Sequence, residues 1–318
     1  MATHPHAVLL LGVPRGGTTW VGTVLGTTAG ARYVHEPDGT HEPFAFAAKL
    51  DLLHHPMLEP DDRCEPYERL WRGAFAGGVP SGSIADHIAR RVFKRMTGDD
   101  KMRARQDGVR TVRTRIALAT AQPLRGDDAA IRHAVVKTVN GAFAAEWIAR
   151  RGADHVGVIS RHPLNVVASW RDFGWNPPQG VMYAAIRDRA RQAWQIDLPT
   201  ADASALQRAA AMATALAFEL ETVRRQNPEW IAISHEDLCS DPGDRFPKIA
   251  SALGLEWNDT ATTKLAESNR PGSGYATNRV AANEVDRWRE RLAPAEIDEI
   301  VDVAARFPAD LGWLERLA

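Results

Sequence analysis

The chain has 318 residues, 44% of them apolar and 25% charged, which suits a globular protein with a large core rather than a fibrous or disordered one. A net charge of -1 argues against a broad nucleic-acid footprint, and two distant cysteines, Cys64 and Cys239, offer neither a disulfide framework nor a zinc site. The opening stretch MATHPHAVLLLGVPRGG holds only about five consecutive apolar residues, too few for a membrane span or a signal peptide, so a cytoplasmic enzyme is expected.

In chain order, Ala7–Leu11 reads as a short buried strand, followed by a helix carrying Trp20, Val21, Val24 and Leu25 on its apolar side. Further strands are expected at Arg32–Val34, Ala134–Val139, His155–Ser160 and Trp230–Ser234, with helices at Ala142–Arg151 and Pro163–Arg171. Strands alternating with helices predict an α/β fold, a parallel β-sheet flanked by helices on both faces. Ligands in such sheets gather at the carboxyl ends of the strands, which places Gly12–Thr19, the stretch after Val34, Lys137 and Arg161 on one rim. Two long, polar, mostly helical stretches, about 40–130 and 176–228, read as insertions covering the site within a single domain, 1–318. They hold loop-like breaks at Thr97–Lys101, Arg125–Asp128 and Trp175–Gly180. The segment LAPAEIDEIVDVAARF reads as a closing helix with Pro294 near its start.

The turn after the first strand nearly matches the GxxxxGK[ST] phosphate loop through Gly12, Gly17 and Thr19, but Thr18 stands where that loop needs lysine. Gly16 and Gly17 let the backbone approach an anion, the following helix offers unpaired N–H groups, and Thr18 and Thr19 add hydroxyls. Arg15 is the nearest cation and can fork onto a phosphate or sulfonate. Within VGVISRHPLNVVASW, Arg161 follows a strand and Ser169 lies about two turns into the next helix. Alone, that pair reads as a surface ion pair and a solvated helix hydroxyl rather than as a second anion site.

Together these segments resemble the sulfotransferases that use 3′-phosphoadenosine 5′-phosphosulfate (PAPS). The family's P-[RK]-x-G-T-T-[WL] signature stands as Pro14–Trp20, and its R-x(7)-S signature as Arg161 and Ser169. A YEDL…DP…LGL pattern appears as HEDLCSDPGDRFPKIASALGL, with His235 where tyrosine is usual, and the stretch from Tyr275 to Ile297 resembles the C-terminal region. The resemblance implies a P-loop-like sulfotransferase fold. It implies that Arg15, Gly16, Gly17, Thr18, Thr19 and Trp20 hold the 5′-phosphosulfate, that Arg161 and Ser169 hold the 3′-phosphate, and that His235 and Arg279 border the nucleotide.

Sulfuryl transfer to an alcohol also needs a base and a cation beside the leaving phosphate. Arg15 and Lys137 can supply the charge. Lys137 lies in VVKTVN, similar to the K-T-H strand of cytosolic aryl and steroid sulfotransferases, whose histidine is the base; here Val139 takes that place. The resemblance is therefore nearer to carbohydrate-type and bacterial members, which use a glutamate after the second strand. Glu36 in RYVHEPDG stands there, with His35 as the other candidate base and a plain ion pair with a rim cation as the alternative for Glu36. The implied acceptor is a hydroxyl of a small molecule, glycolipid or carbohydrate. Trp170, Trp175 and Trp194 read as acceptor-pocket walls or as packing. Arg103, Arg105, Arg110, Arg113 and Arg115 read as a solvated basic face or as a greeting for an anionic acceptor. No histidine–carboxylate spacing suggests a metal. A kinase-like phosphotransferase and a nucleotide-binding protein without catalysis are the competing readings.

Overall fold

Along β1 (His6–Gly12), Val8 and Leu10 enter one apolar cluster while Ala7, Leu9 and Leu11 enter another, so the strand is buried on both faces. The computed structural model describes residues 5–126, 131–175, 180–272 and 278–308. After β1 come α1 (Thr18–Leu25), β2 (Ala31–His35), α2 (Pro43–Ala48), α3 (Glu65–Phe75), α4 (Ile84–Phe93), α5 (Gly98–Gln106) and α6 (Val112–Thr120). Then follow β3 (His133–Thr138), α7 (Ala145–Ala149), β4 (His155–Ser160), α8 (Pro163–Asp172), α9 (Val181–Trp194) and α10 (Ala205–Gln226). The chain continues with β5 (Ile231–Ser234), α11 (His235–Ser240), α12 (Pro242–Ala252), α13 (Asp259–Ser268), α14 (Trp288–Arg291) and α15 (Pro294–Ala304).

The five strands form one parallel sheet in the order β2-β3-β1-β4-β5, as the alternation of strands and helices predicts. From β1 the chain leaves toward β2 on one side, and from β4 toward β5 on the other. The crevice between their carboxyl ends is the place where ligands settle in such sheets. One face packs on α1, α12 and α13 through Val21, Val24, Phe246 and Leu265. The other packs on α3, α7, α8 and α10 through Trp71, Trp147, Val167 and Leu216.

Three expectations need correction. Ala142–Arg151 is not one helix: a short 3₁₀ turn, Ala142–Ala144, precedes α7. Thr97–Lys101 is a helix start, because Thr97 accepts from the Asp100 N–H while the Asp100 carboxylate accepts from the Thr97 N–H. Within 176–228, α10 lies against β1, β4 and α8, since its alanine-rich surface allows close packing. Asp127, Asp128 and 176–179 fall outside the described residues.

Beneath the rim, Asp38 is fully buried and accepts hydrogen bonds from Thr138 Oγ1 at 2.7 Å and the Tyr67 hydroxyl at 3.2 Å. Lys49, equally buried, donates to the carbonyl oxygens of His54 at 2.6 Å and Asp38 at 3.4 Å. Burial lowers its pKa to about 8, against the pull of Asp38. An Asp38→Ala substitution is expected to cost about 2–5 kcal/mol, because the buried Thr138 and Tyr67 hydroxyls lose their acceptor at about 1–3 kcal/mol each. Urea unfolding measures it; a change near zero would remove Asp38 from the rim's support.

Candidate active site

The loop joining β1 to α1 is a tight turn in which the Gly16 N–H donates to the Val13 carbonyl at 2.9 Å, with Pro14 and Arg15 at its centre. Arg15 has a φ of 66°, at a turn position that glycine normally fills, so the arginine is held in a strained backbone. Gly17 follows at φ 85° and caps α1; a Cβ there would lie 2.1 Å from the His235 ring. Helix α1 has no side-chain cap and no acidic residue in its first turn, which leaves its leading N–H groups and positive dipole end directed at the crevice.

Arg15 Nε donates to Ser169 Oγ at 3.0 Å, and its guanidinium lies 4.1 Å over the Phe173 ring. Arg161 Nη1 donates to the Arg15 carbonyl at 3.0 Å, which ties the β1 and β4 loops across the crevice. Its Nη2 donates to Glu284 at 3.0 Å, while its Nε is buried with no partner. A buried donor left in this state is costly. Trp20 Nε1 donates to Ser268 Oγ at 2.8 Å, and the Trp20 ring meets His235 edge-on. Burial, with Arg161 adding, holds His235 well below its ordinary pKa, so the ring is neutral near pH 7.

Lys137 is paired in register with His35, and the Glu36 N–H donates to the Lys137 carbonyl at 2.8 Å. Glu36 then turns out of the strand at φ 41°, which sets its carboxylate on the Lys137 ammonium. Lys137 is 1% exposed, and its ammonium also donates to Thr19 Oγ1 at 3.2 Å. Burial pushes the Glu36 carboxyl up, but Lys137 more than offsets this and leaves it below its ordinary value. Burial lowers the Lys137 pKa against the same partner. Glu36 is thus an ionised carboxylate held by a cation. His35 points its Nδ1 at the Tyr33 hydroxyl, 2.9 Å away, and its Nε2 stands 4.0 Å from Glu36.

These groups line one cavity of about 640 Å³, whose walls include Arg15, Gly17, Thr18, Thr19, Trp20, Glu36, Lys137, Arg161, His235 and Arg279. Gly16 and Ser169 lie behind the wall, Gly16 inside the turn and Ser169 under Arg15. From 40–130 come Thr40, His41 and His54; none of the described residues of 180–228 reach the cavity. His54 is lowered to about 4, by burial first and then by Lys49 and Arg105. Trp175 lines the cavity, Trp170 donates to the Pro14 carbonyl at 2.9 Å, and Trp194 packs among Phe143, Phe218 and Phe307. Arg103 pairs with Asp99 on its own helix, and Arg105, Arg113 and Arg115 donate to backbone carbonyls.

Sequence reasoning missed Asn140, Cys239 and above all Glu284. Glu284 carries no motif; with Asp286 and Glu290 it is one of three carboxylates among the arginines of 279–291, and the sequence does not single it out. Among the described residues, no group of three or more His, Cys, Asp or Glu could hold a metal, and no helix is long and apolar enough to cross a membrane.

No protein-family model and no curated protein matches the chain. Among solved structures it is similar to the sulfotransferase domain of the Synechococcus PCC 7002 olefin synthase, at 13% identity and a TM-score of 0.46 over 95% of this chain and 94% of that one. It is also similar to the sulfotransferase domain from the curacin biosynthetic pathway, at 13% identity and a TM-score of 0.44 over 94% and 96%.

The folded state favours ionised Glu36, so its stabilising contribution is present above about pH 4.5 and fades as the pH falls through its lowered folded pKa. Lys137→Met removes the cation and keeps the burial, so the Glu36 carboxyl is expected to titrate above 4.5 instead of below it. Carbon-13 NMR of the glutamate carboxyls reads this; a titration that stays below 4.5 would show that Lys137 does not control Glu36.

Proposed function

We propose that this chain is a sulfotransferase that moves a sulfuryl group from PAPS to an acceptor hydroxyl, with Glu36 as base and Arg15 and Lys137 as the cations beside the leaving phosphate. The observation that carries this reading is the pairing of buried Lys137 with half-buried Glu36, set on Thr19 at the uncapped start of α1. An anion-binding loop needs no base, and a structural ion pair needs no loop.

The residues suit a nucleotide with separated anionic groups. The turn Arg15–Thr19 and the start of α1 would hold the 5′-phosphosulfate, and Arg161, backed by the Arg15–Ser169 contact, would hold the 3′-phosphate. Trp20, His235 and Arg279 border the space between. The cavity wall carries Arg15, Lys137, Arg161 and Arg279 against Glu36 and Glu284, a net positive lining that favours an anion. When bound, the donor supplies the sulfuryl group, whose sulfur–oxygen bond to phosphate breaks as the acceptor oxygen bonds to sulfur.

Glu36 takes the acceptor's proton at a carboxylate that Lys137 keeps ionised. As that proton arrives, Lys137 loses its counter-charge and its ammonium is released to the negative charge building on the leaving phosphate. The two residues thus act as one exchange, with no metal required. The proposed acceptor side is polar and weakly charged: His35, Thr40, His41, His54 and Asn140 share the cavity wall with Glu36, a set of hydrogen-bonding groups suited to a small-molecule, glycolipid or carbohydrate hydroxyl.

Adenosine 3′,5′-bisphosphate, the spent donor, is expected to bind by calorimetry in EDTA, and Arg161→Ala to weaken it. Glu36→Gln is expected to keep or strengthen that affinity, since it frees Lys137, while turnover with PAPS and a screened acceptor falls about 100- to 10,000-fold. Arg15→Ala or Lys137→Ala is expected to raise the barrier by about 3–4 kcal/mol. Stronger binding of magnesium–ATP than of the bisphosphate would sink the assignment, and full turnover by the glutamine variant would remove Glu36 as base.

A further inference from the structure

Glu284 ends a short 3₁₀ turn, Ala281–Glu284, that is fixed from both sides. The Ala281 N–H donates to Asn269 Oδ1 at 2.8 Å, and Asn165 grips the Val285 carbonyl at 2.7 Å and the Trp288 N–H at 3.0 Å. The backbone is therefore held while the side chain reaches into the cavity wall. There the carboxylate divides its oxygens: Oε1 faces Arg287 and stands 3.9 Å from Arg279 Nε, and Oε2 accepts from Arg161 Nη2 at 3.0 Å.

That division leaves a mismatch on Arg161. Its Nε and Nη2 lie on one edge of the guanidinium plane, the edge that forks onto a phosphate. Glu284 covers Nη2 alone, because its other oxygen is committed to Arg287, and Nε stays buried without a partner. A carboxylate has two oxygens for three arginines. A phosphate monoester has three terminal oxygens and a second negative charge, enough to fill the whole Arg161 edge and still meet another cation.

We propose that Glu284 is a place-holding anion and a specificity-determining residue: its carboxylate occupies half of the Arg161 fork until a ligand phosphate takes both arms and turns the carboxylate away. The cluster then rejects ligands that lack a phosphate at this position, since they cannot replace the carboxylate among the arginines. Which phosphate does so rests on the donor reading above, namely the 3′-phosphate of the nucleotide.

The test is calorimetry of wild type, Glu284→Gln and Glu284→Ala with three probes: inorganic phosphate, adenosine 3′,5′-bisphosphate and adenosine 5′-monophosphate. Both variants are expected to bind phosphate and the bisphosphate about 10-fold more tightly, as fits loss of one charge-assisted competitor, with the monophosphate unchanged. Gains for phosphate with no bisphosphate binding by any form would keep the exchange and defeat the donor reading. Unchanged or weaker phosphate binding by folded variants would mean that Glu284 orders the arginines and would overturn the proposal. Wild-type crystals soaked in the bisphosphate, or in phosphate alone if the nucleotide does not bind, give a second readout: Arg161 and Glu284 are expected to part, and their contact kept at 3.0 Å beside a bound phosphate would also overturn it.

Discussion

A parallel sheet covered on both faces has room for charge only where its strands end, and the buried ammonium of Lys137 shows how far that constraint reaches. Lys137 stands one residue before the end of β3, 1% exposed, where a bare cation would carry a large desolvation cost. Pairing β2 in register with His35 opposite Lys137 delivers the next residue, Glu36, beside it. The left-handed turn at Glu36 then aims the carboxylate inward instead of along the strand. The same end of the sheet receives the α1 N-terminus through Thr19, so carboxylate, ammonium and uncapped helix start meet without any long side chain searching for a partner.

Three of the cavity's cations are held in place by neighbouring side chains and carbonyls. Arg15 lies on Ser169 and Phe173, Lys137 on Glu36 and Thr19, and Arg161 on Glu284 and the Arg15 carbonyl. Two of the three non-glycine residues with positive φ among the described residues, Arg15 and Glu36, belong to this set. Backbone strain of order 1–3 kcal/mol per residue persists only where surrounding structure over-determines it. Here the Trp170 bond to the Pro14 carbonyl and the strand bond from Glu36 to Lys137 supply that determination. Preset charges of this kind need little rearrangement when negative charge develops beside them.

Much of the framework could be read from short segments. All five strands were placed within about two residues of their ends, because a core strand of this sheet is an apolar run bounded by turn formers. The rim positions followed from the rule for parallel sheets. Misreadings came where local polarity carried two meanings. Thr97–Asp100 looks like a loop and is a cap, because the same side chains that break structure also satisfy the first N–H groups of a helix. Helix α10 was expected over the site and lies in the core, because alanine-rich helices show little periodicity and their face is chosen by what packs on them.

By itself, then, the amino-acid sequence determined the alternation of strands and helices, the glycine turn without lysine, and the side of the sheet on which Arg15, Glu36, Lys137 and Arg161 stand. These depend on hydrogen bonds and apolar periodicity within a few residues. Tertiary structure alone decided that Glu36 meets Lys137, 101 positions away, that Ser169 lies beneath Arg15, and that Glu284, 123 positions from Arg161, closes the arginine cluster. Charges so distant along the chain are matched only when the sheet order and the burial of both faces bring their loops to one crevice, and the low-polarity surroundings then make each pairing obligatory.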